Sequence, residues 1–311
     1  MKIIFFGSSD FSLPHLGKVL EEGYEIVAAV SVPPKPKGRA GALASSPLAG
    51  LARKENIPIF EPEKVRYIAE ELSLLKPDIG IVASFGKIIP PGLLSLPRLG
   101  MINVHPSLLP KWRGPSPIQS ALLAGEKETG ITIHITAEAV DAGGILAQEK
   151  TDIFPEESYK ELERRLAELG ARILIETLPR LAAGEIVPQA QSEKDATYSR
   201  RFHTEDGKIE WRELAEKIFN QIRALNPEPG TFAFVEDLHG TKKRLLFPRA
   251  RLELGNTSEA KGLVLQAGSG CKIAAEGGYI LPLEVHIEGK KKTDIASFLK
   301  GNSWLIGKML V

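Results

Sequence analysis

Residues 102–114 read INVHPSLLPKWRG. An apolar run that opens at Met101 meets Asn103 and His105, then breaks at Pro106 and Pro110. In an extended segment alternate side chains share a face, so Asn103 and His105 point the same way. Two polar groups together at the end of a buried strand need partners, and a ligand site supplies them. The run is one of a series. Residues 2–7 (KIIFFG), 25–31 (EIVAAVS), 57–60 and 78–84 (DIGIVAS) are also apolar and of strand length. Helical patterns at 12–22, 47–55 and 64–75 alternate with them. This alternation indicates an α/β fold with a doubly wound, mostly parallel sheet covered on both faces. Ligands of such sheets bind beyond the carboxyl ends of the strands, which is where Asn103 and His105 fall.

The chain has 311 residues, 43% hydrophobic and 25% charged, with a formal net charge of +1. That length suits two domains, and the charge balance carries no global nucleic-acid or membrane signature. The single cysteine, Cys271, excludes an internal disulfide framework and a cysteine metal cluster, and reads as a small buried residue. No pair of histidines has metal-ligand spacing, so no metal is expected. The apolar stretch after Lys2 is too short for a signal peptide or a membrane span, and a cytoplasmic protein is expected. Neither G-x-G-x-x-G nor G-x-x-x-x-G-K-[ST] occurs, so dinucleotide and P-loop readings lack their phosphate cradle.

Beyond His105, residues 131–136 (ITIHIT) and 145–153 form an alternating pair joined by AEAVDAGG, and a helical pattern covers 158–183. Residues 1–189 are expected as the first domain and the polar stretch 190–205 as a linker. In 206–311 one amphipathic helix (214–224) precedes short alternating runs at 231–235, 244–247, 262–266, 272–275 and 279–284. Five short strands separated by Gly, Asn and Ser turns suggest a small β-barrel of the OB type.

Few residues outside 102–114 offer chemistry. Asp141, in the turn before Gly143-Gly144, could orient an imidazole, although Asp and Gly also favour turns for local reasons. His134 faces the same side as Thr132 and Thr136 and reads as a structural histidine ahead of a site residue. His15, His203, His239 and His286 stand among loop or surface residues, structural or solvated. Residues 33–46 (PPKPKGRAGALASS) make a long connection whose cations sit among prolines and glycines, with no apolar anchor before Leu43.

The motifs INVHPSLLPKWRG, GPSPIQSALLAG, TGITIHIT and VDAGGIL, in this order and after the opening FFGSSDFSLPHL, resemble the 10-formyltetrahydrofolate-dependent formyltransferases. In that family N-x-H-x-S-L-L-P and a later D-x-G form the active site. Through KPKGRAGAL (35–43), IRALNPEPG (222–230) and the barrel-like C-terminal segment, the chain is similar to the members that formylate initiator methionyl-tRNA. The resemblance implies a Rossmann-like catalytic domain with an OB-like tRNA-binding domain. It implies Asn103, His105 and Asp141 as catalytic residues and Ser107, Leu108, Leu109 and Pro110 as tetrahydrofolate contacts. Arg39, with Lys37 and Lys35, would meet the tRNA acceptor stem. The implied co-substrate is 10-formyltetrahydrofolate and the implied partner is initiator methionyl-tRNA, with no membrane and no obligatory protein partner. The same constellation also suits a small amine, such as an amino sugar nucleotide or glycinamide ribonucleotide, or water as acceptor. In each case an amide would donate to the developing oxyanion, and the imidazole would take a proton or stabilise that charge.

Overall fold

Continuous Ile/Val/Phe runs fold as central strands because both of their faces are covered. β1 (Lys2–Gly7) buries every residue after Lys2. The computed structural model describes residues 1–37 and 41–311. After β1 come α1 (Ser12–Glu21), β2 (Glu25–Val30), β3 (Lys35–Lys37), β4 (Ala42–Ala44), α2 (Pro47–Lys54), β5 (Ile59–Phe60), α3 (Ala69–Leu74) and β6 (Ile79–Ala83). They are followed by α4 (Pro91–Leu94), β7 (Met101–His105), α5 (Pro117–Leu123), β8 (Glu128–Ile135), β9 (Ile145–Asp152) and α6 (Tyr159–Ala182). Seven strands form one sheet in the order β5-β2-β1-β6-β7-β8-β9. The pairs from β5 to β7 are parallel, while β7–β8 and β8–β9 are antiparallel. The expected mostly parallel sheet is present, with β7 at the change of direction.

The chain divides into two compact units: Met1–Pro117, Glu128–Asp152 and Glu163–Ser199 form the first, and Ile118–Lys127, Ile153–Leu162 and Arg200–Val311 the second. The segment read from sequence as the start of a linker is bonded into the first unit. Thr197 N donates to Pro110 O (3.2 Å), Arg113 N to Thr197 O (2.9 Å) and Ser199 N to Arg113 O (2.7 Å). Polar composition hides such bonds, because their partners lie more than 80 residues earlier.

In α1 the buried positions are Ser12, His15, Leu16 and Val19, one helical face. His15 is therefore not a loop or surface histidine. It is fully buried, and its Nδ1 donates to Phe11 O (2.8 Å) while Nε2 has no partner. A side chain on Gly170 of α6 would meet that Nε2 at 2.6 Å, so only glycine lets the helix approach the ring. Ser46 caps α2 by accepting from Ala49 N (3.1 Å), with Pro47 in the first turn. Between β2 and α2, β3 and β4 pair antiparallel, Lys35 opposite Ala44 and Lys37 opposite Ala42. Arg39 lies outside the described residues. Leu43, read as the loop's first anchor, is 72% exposed and anchors nothing.

The second unit holds α7 (Ala215–Leu225), β10 (Phe232–Glu236), β11 (Lys242–Leu254), β12 (Val264–Ala267), β13 (Gly270–Ala275), β14 (Gly278–Ile287), β15 (Thr293–Asp294) and α8 (Ile295–Gly301). The antiparallel order is β10-β11-β14-β13-β12, with β15 on β14. This half-barrel wraps a core that includes Ile218, Phe219 and Ile222 of α7 with Phe247, Ile280 and Val285. The expected strand 244–247 is too short. Pro248 lacks an N–H and reads as a strand end, but β11 continues past it through register shifts on either side of Arg249, where the missing donor is tolerated. Residues 307–311 then span the open ends. Gly307 N and Leu310 N donate to Val264 O (2.8 Å) and Gly262 O (2.9 Å), and Val264 N donates to Lys308 O (2.9 Å). Phe234 N and Val311 N exchange bonds with each other's carbonyls at 2.7 and 2.9 Å. Among the described residues, no helix is long and apolar enough to cross a membrane.

Two outcomes follow from this packing. Leu310 is 2% exposed, so Leu310→Ala should cost about 2–5 kcal/mol in urea unfolding of the second unit. Unchanged stability would show that residues 307–311 do not hold the sheet. Burial pushes the His15 pKa from 6.5 down to about 4, so between those values the unfolded chain binds a proton that the folded chain refuses. Stability should therefore fall by roughly 3 kcal/mol as pH drops through that window. His15→Leu should flatten this limb of the stability–pH curve, as read by thermal unfolding.

Candidate active site

The antiparallel register of β7 and β8 builds the site. Asn103 pairs with His134 and His105 with Thr132, so all four side chains stand on one face. Asn103 Nδ2 lies 3.2 Å from both His134 Nε2 and Asp141 Oδ1. Its amide orientation is set by these neighbours, since an oxygen turned toward the carboxylate would be repelled. His134 Nδ1 donates to Ile135 O (2.9 Å), and its Nε2 lies between Asn103 Nδ2 and Asp141 Oδ1, 3.5 Å from the latter. His105 Nε2 donates to Trp112 O (3.0 Å), and its Nδ1 faces Asp141 Oδ2 at 3.6 Å. Gly114 N also donates to Asp141 Oδ2 (2.8 Å).

Asp141 comes from the turn between β8 and β9, whose shape is tightly constrained. Asp141 has φ +50°, and a Cβ on Gly143 would lie 1.8 Å from Ile135 O. Trp112, whose carbonyl accepts the hydrogen bond from His105 Nε2, has φ +60°. Left-handed backbone at two residues of one site persists only where the surroundings over-determine it.

Electrostatics poise the pair. Burial lowers the His105 pKa below its ordinary value, against the opposing pull of Asp141 and with a further push from His134. Burial alone would raise Asp141, but the imidazoles of His105 and His134 and the Gly114 N–H outweigh it and hold the carboxyl below the usual range. Asp141 is thus ionised beside an imidazole whose protonation burial opposes and the carboxylate favours. His105, His134 and Asp141 also offer one ligand atom each within 4.8 Å, a set able to hold a divalent transition metal.

Of the residues singled out in the sequence, Asn103, His105 and Asp141 come together here. His134, read as structural, joins them. Its alternation with Ile133 and Ile135 indicated the face, but only the register puts it against Asn103. In the SLLP turn Ser107 and Leu109 are buried and bonded inward. Ser107 Oγ donates to Lys111 O (2.6 Å), and Leu109 N to Thr132 Oγ1 (3.1 Å). Leu108 and Pro110 are half-buried. Cys271 lies elsewhere, in β13, with its thiol pushed up to about 12 by burial.

The formyl transferase family model matches residues 1–178, and the model of the formyl transferase C-terminal domain matches residues 201–303. A methionyl-tRNA formyltransferase of Citrifermentans bemidjiense is 37% identical over 100% of this chain and 96% of that relative. One of Caldanaerobacter subterraneus is 36% identical over 100% of both chains. Among solved structures, HypX from Aquifex aeolicus in complex with tetrahydrofolic acid has a TM-score of 0.67 at 17% identity, covering 96% of this chain and 47% of that one. Methionyl-tRNA formyltransferase from Clostridium thermocellum has a TM-score of 0.55 at 22% identity, covering 81% of this chain and 93% of that one. These structures share the fold, while the sequence relationship runs end to end: the chain belongs to the formyl transferase family, and its full-length relatives are methionyl-tRNA formyltransferases.

Proposed function

We propose that this formyl transferase moves the formyl group of 10-formyltetrahydrofolate onto the amino group of methionyl-initiator tRNA, in the cytoplasm. The observation that supports it is the cluster of amide, imidazole and carboxylate at the end of β7, in a chain aligned over its whole length with methionyl-tRNA formyltransferases. The neutral amine attacks the formyl carbon, forming a C–N bond and an oxyanion. Asn103 turns the N–H it shares with His134 toward that oxygen. Because His105 Nε2 is committed to Trp112 O, Nδ1 is the position that takes the amine's proton, and the resulting imidazolium lies beside Asp141. Collapse then breaks the bond from carbon to N10 of the folate, which leaves as the free amine on taking the proton held by His105, and the imidazole returns to its neutral form.

Within this reading residues 107–110 contact the folate, with Leu108 and Pro110 presenting surface and Ser107 and Leu109 holding the turn. Arg39, with Lys35 and Lys37, meets the acceptor stem, and residues 206–311 bind tRNA. The steps proposed here call on no metal, although His105, His134 and Asp141 could hold one.

Single substitutions Asn103→Ala, His105→Ala and Asp141→Ala should each lower kcat at least about 10²-fold, as loss of an oxyanion donor or proton acceptor does. The assay runs the donor against charged initiator tRNA, an amino sugar nucleotide and buffer alone. Near-normal turnover in His105→Ala overturns the mechanism, and faster transfer to the sugar nucleotide or to water overturns the acceptor.

Arg39→Ala should raise KM for charged tRNA and leave KM for the folate unchanged. Salt should then weaken tRNA binding less steeply than in the wild type, because one phosphate-neutralising charge is gone. Identical salt dependence in both would show that this connection does not touch tRNA.

A further inference from the structure

Asp141 is held through a route that no motif of the site announces. Its carboxylate is fixed by Gly114 N, but its main chain is gripped by a residue fifty positions later. Gln191 Nε2 donates to Asp141 O (2.8 Å) and Gly143 O (2.7 Å). Gln191 Oε1 accepts from Arg113 Nε (3.0 Å), and the remaining Arg113 nitrogens form a fork on Glu193 at 2.9 and 2.8 Å. Arg113 is 2% exposed, a guanidinium enclosed in the first unit with every nitrogen bonded.

This geometry allows one orientation of the Gln191 amide. A guanidinium only donates and carbonyls only accept, so Oε1 must face Arg113 and Nε2 must face the turn. The turn needs the hold, because Asp141 sits in the left-handed region. Arg113 also stands between Trp112, whose carbonyl takes His105 Nε2–H, and Gly114, whose N–H meets Asp141 Oδ2. The side chain and main chain of one arginine thus touch the supports of both members of the proton-transfer pair.

We propose that Arg113 and Gln191 are positioning residues for formyl transfer: they fix the Asp141 carboxylate at its distance from the His105 imidazole and contact neither substrate. The inference rests on the roles given above to His105 and Asp141. Among the described residues, the titratable groups that face His105 are Asp141 and His134. When the clasp loosens, Asp141 withdraws, and the imidazole loses the charge that opposes the effect of burial.

The test uses Gln191→Ala and Gln191→Glu, the second nearly isosteric but unable to donate to two carbonyls. Expected is a fall in kcat of about 10-fold or more, as small misplacements of reacting groups produce. KM for folate and for tRNA should stay within about twofold. The limb of the kcat–pH profile that reports His105 should move to lower pH. Imidazole NMR of the free protein should show His105 titrating lower in both variants, in the direction also expected for Asp141→Asn. Should Gln191→Ala unfold, Arg113→Lys keeps the charge without the fork and should give the same readings. Folded variants with an unmoved His105 titration and an unmoved pH limb overturn the positioning role. A shifted His105 titration with unaltered turnover upholds the clasp and overturns instead the assignment of His105 as proton carrier.

Discussion

The register between β7 and β8 is the constraint on which the rest of the site depends. A slip of one residue would turn Asn103 and His105 to the opposite face and set His134 against an apolar neighbour. The buried Ile102 and Val104 forbid that slip, since it would turn both away from the apolar face they share with Ile131 and Ile133 of β8. The core thereby fixes the position of the polar groups. Thr132, opposite His105, extends the same control to the next loop. Its hydroxyl donates to Ser107 O (2.6 Å) and accepts from Leu109 N and from Gln148 Nε2 (2.8 Å). One strand pair therefore shapes both the acid–base cluster and the SLLP turn.

Around that frame the chemistry is a balance between burial and charge. An enclosed imidazole resists protonation, and an enclosed carboxylate resists ionisation. Placed together they relieve each other, and the Gly114 N–H stabilises the carboxylate further. Neither residue would have its present character alone. This explains why the turn carrying Asp141 is built so rigidly, down to a glycine at 143 that no side chain could replace.

Much of this was legible in the sequence. Continuous apolar runs announced the parallel sheet, and an amide and an imidazole two residues apart at a strand end marked the candidate site. What stayed hidden were relations across long sequence separations. His134 was placed on the correct face by alternation, but its partner depends on which β7 residue it opposes. Gln191 carried no signal, because a glutamine in a polar stretch looks like solvent-exposed chain until its two carbonyl partners are seen, and Arg113, although inside the 102–114 stretch, gave no hint of the partners its side chain takes. His15 looked like a surface residue, since polarity alone does not reveal that α6 presents a glycine to it. The run 244–247 was read too short because a bulge cannot be seen from one strand only.

The segment 307–311 bonds to the Gly262–Val264 stretch at one end of the second unit's sheet and to Phe234 of β10 at the other. A polypeptide is made from its amino end, so both of those edges exist before the segment that covers them. During synthesis the nascent unit carries two rows of unsatisfied N–H and C=O groups, a template for pairing with other chains. Its sheet becomes safe only once residues 307–311 have been added. The interval of greatest aggregation risk is therefore set by the order of synthesis, and a chain stalled before residue 307 would remain within it.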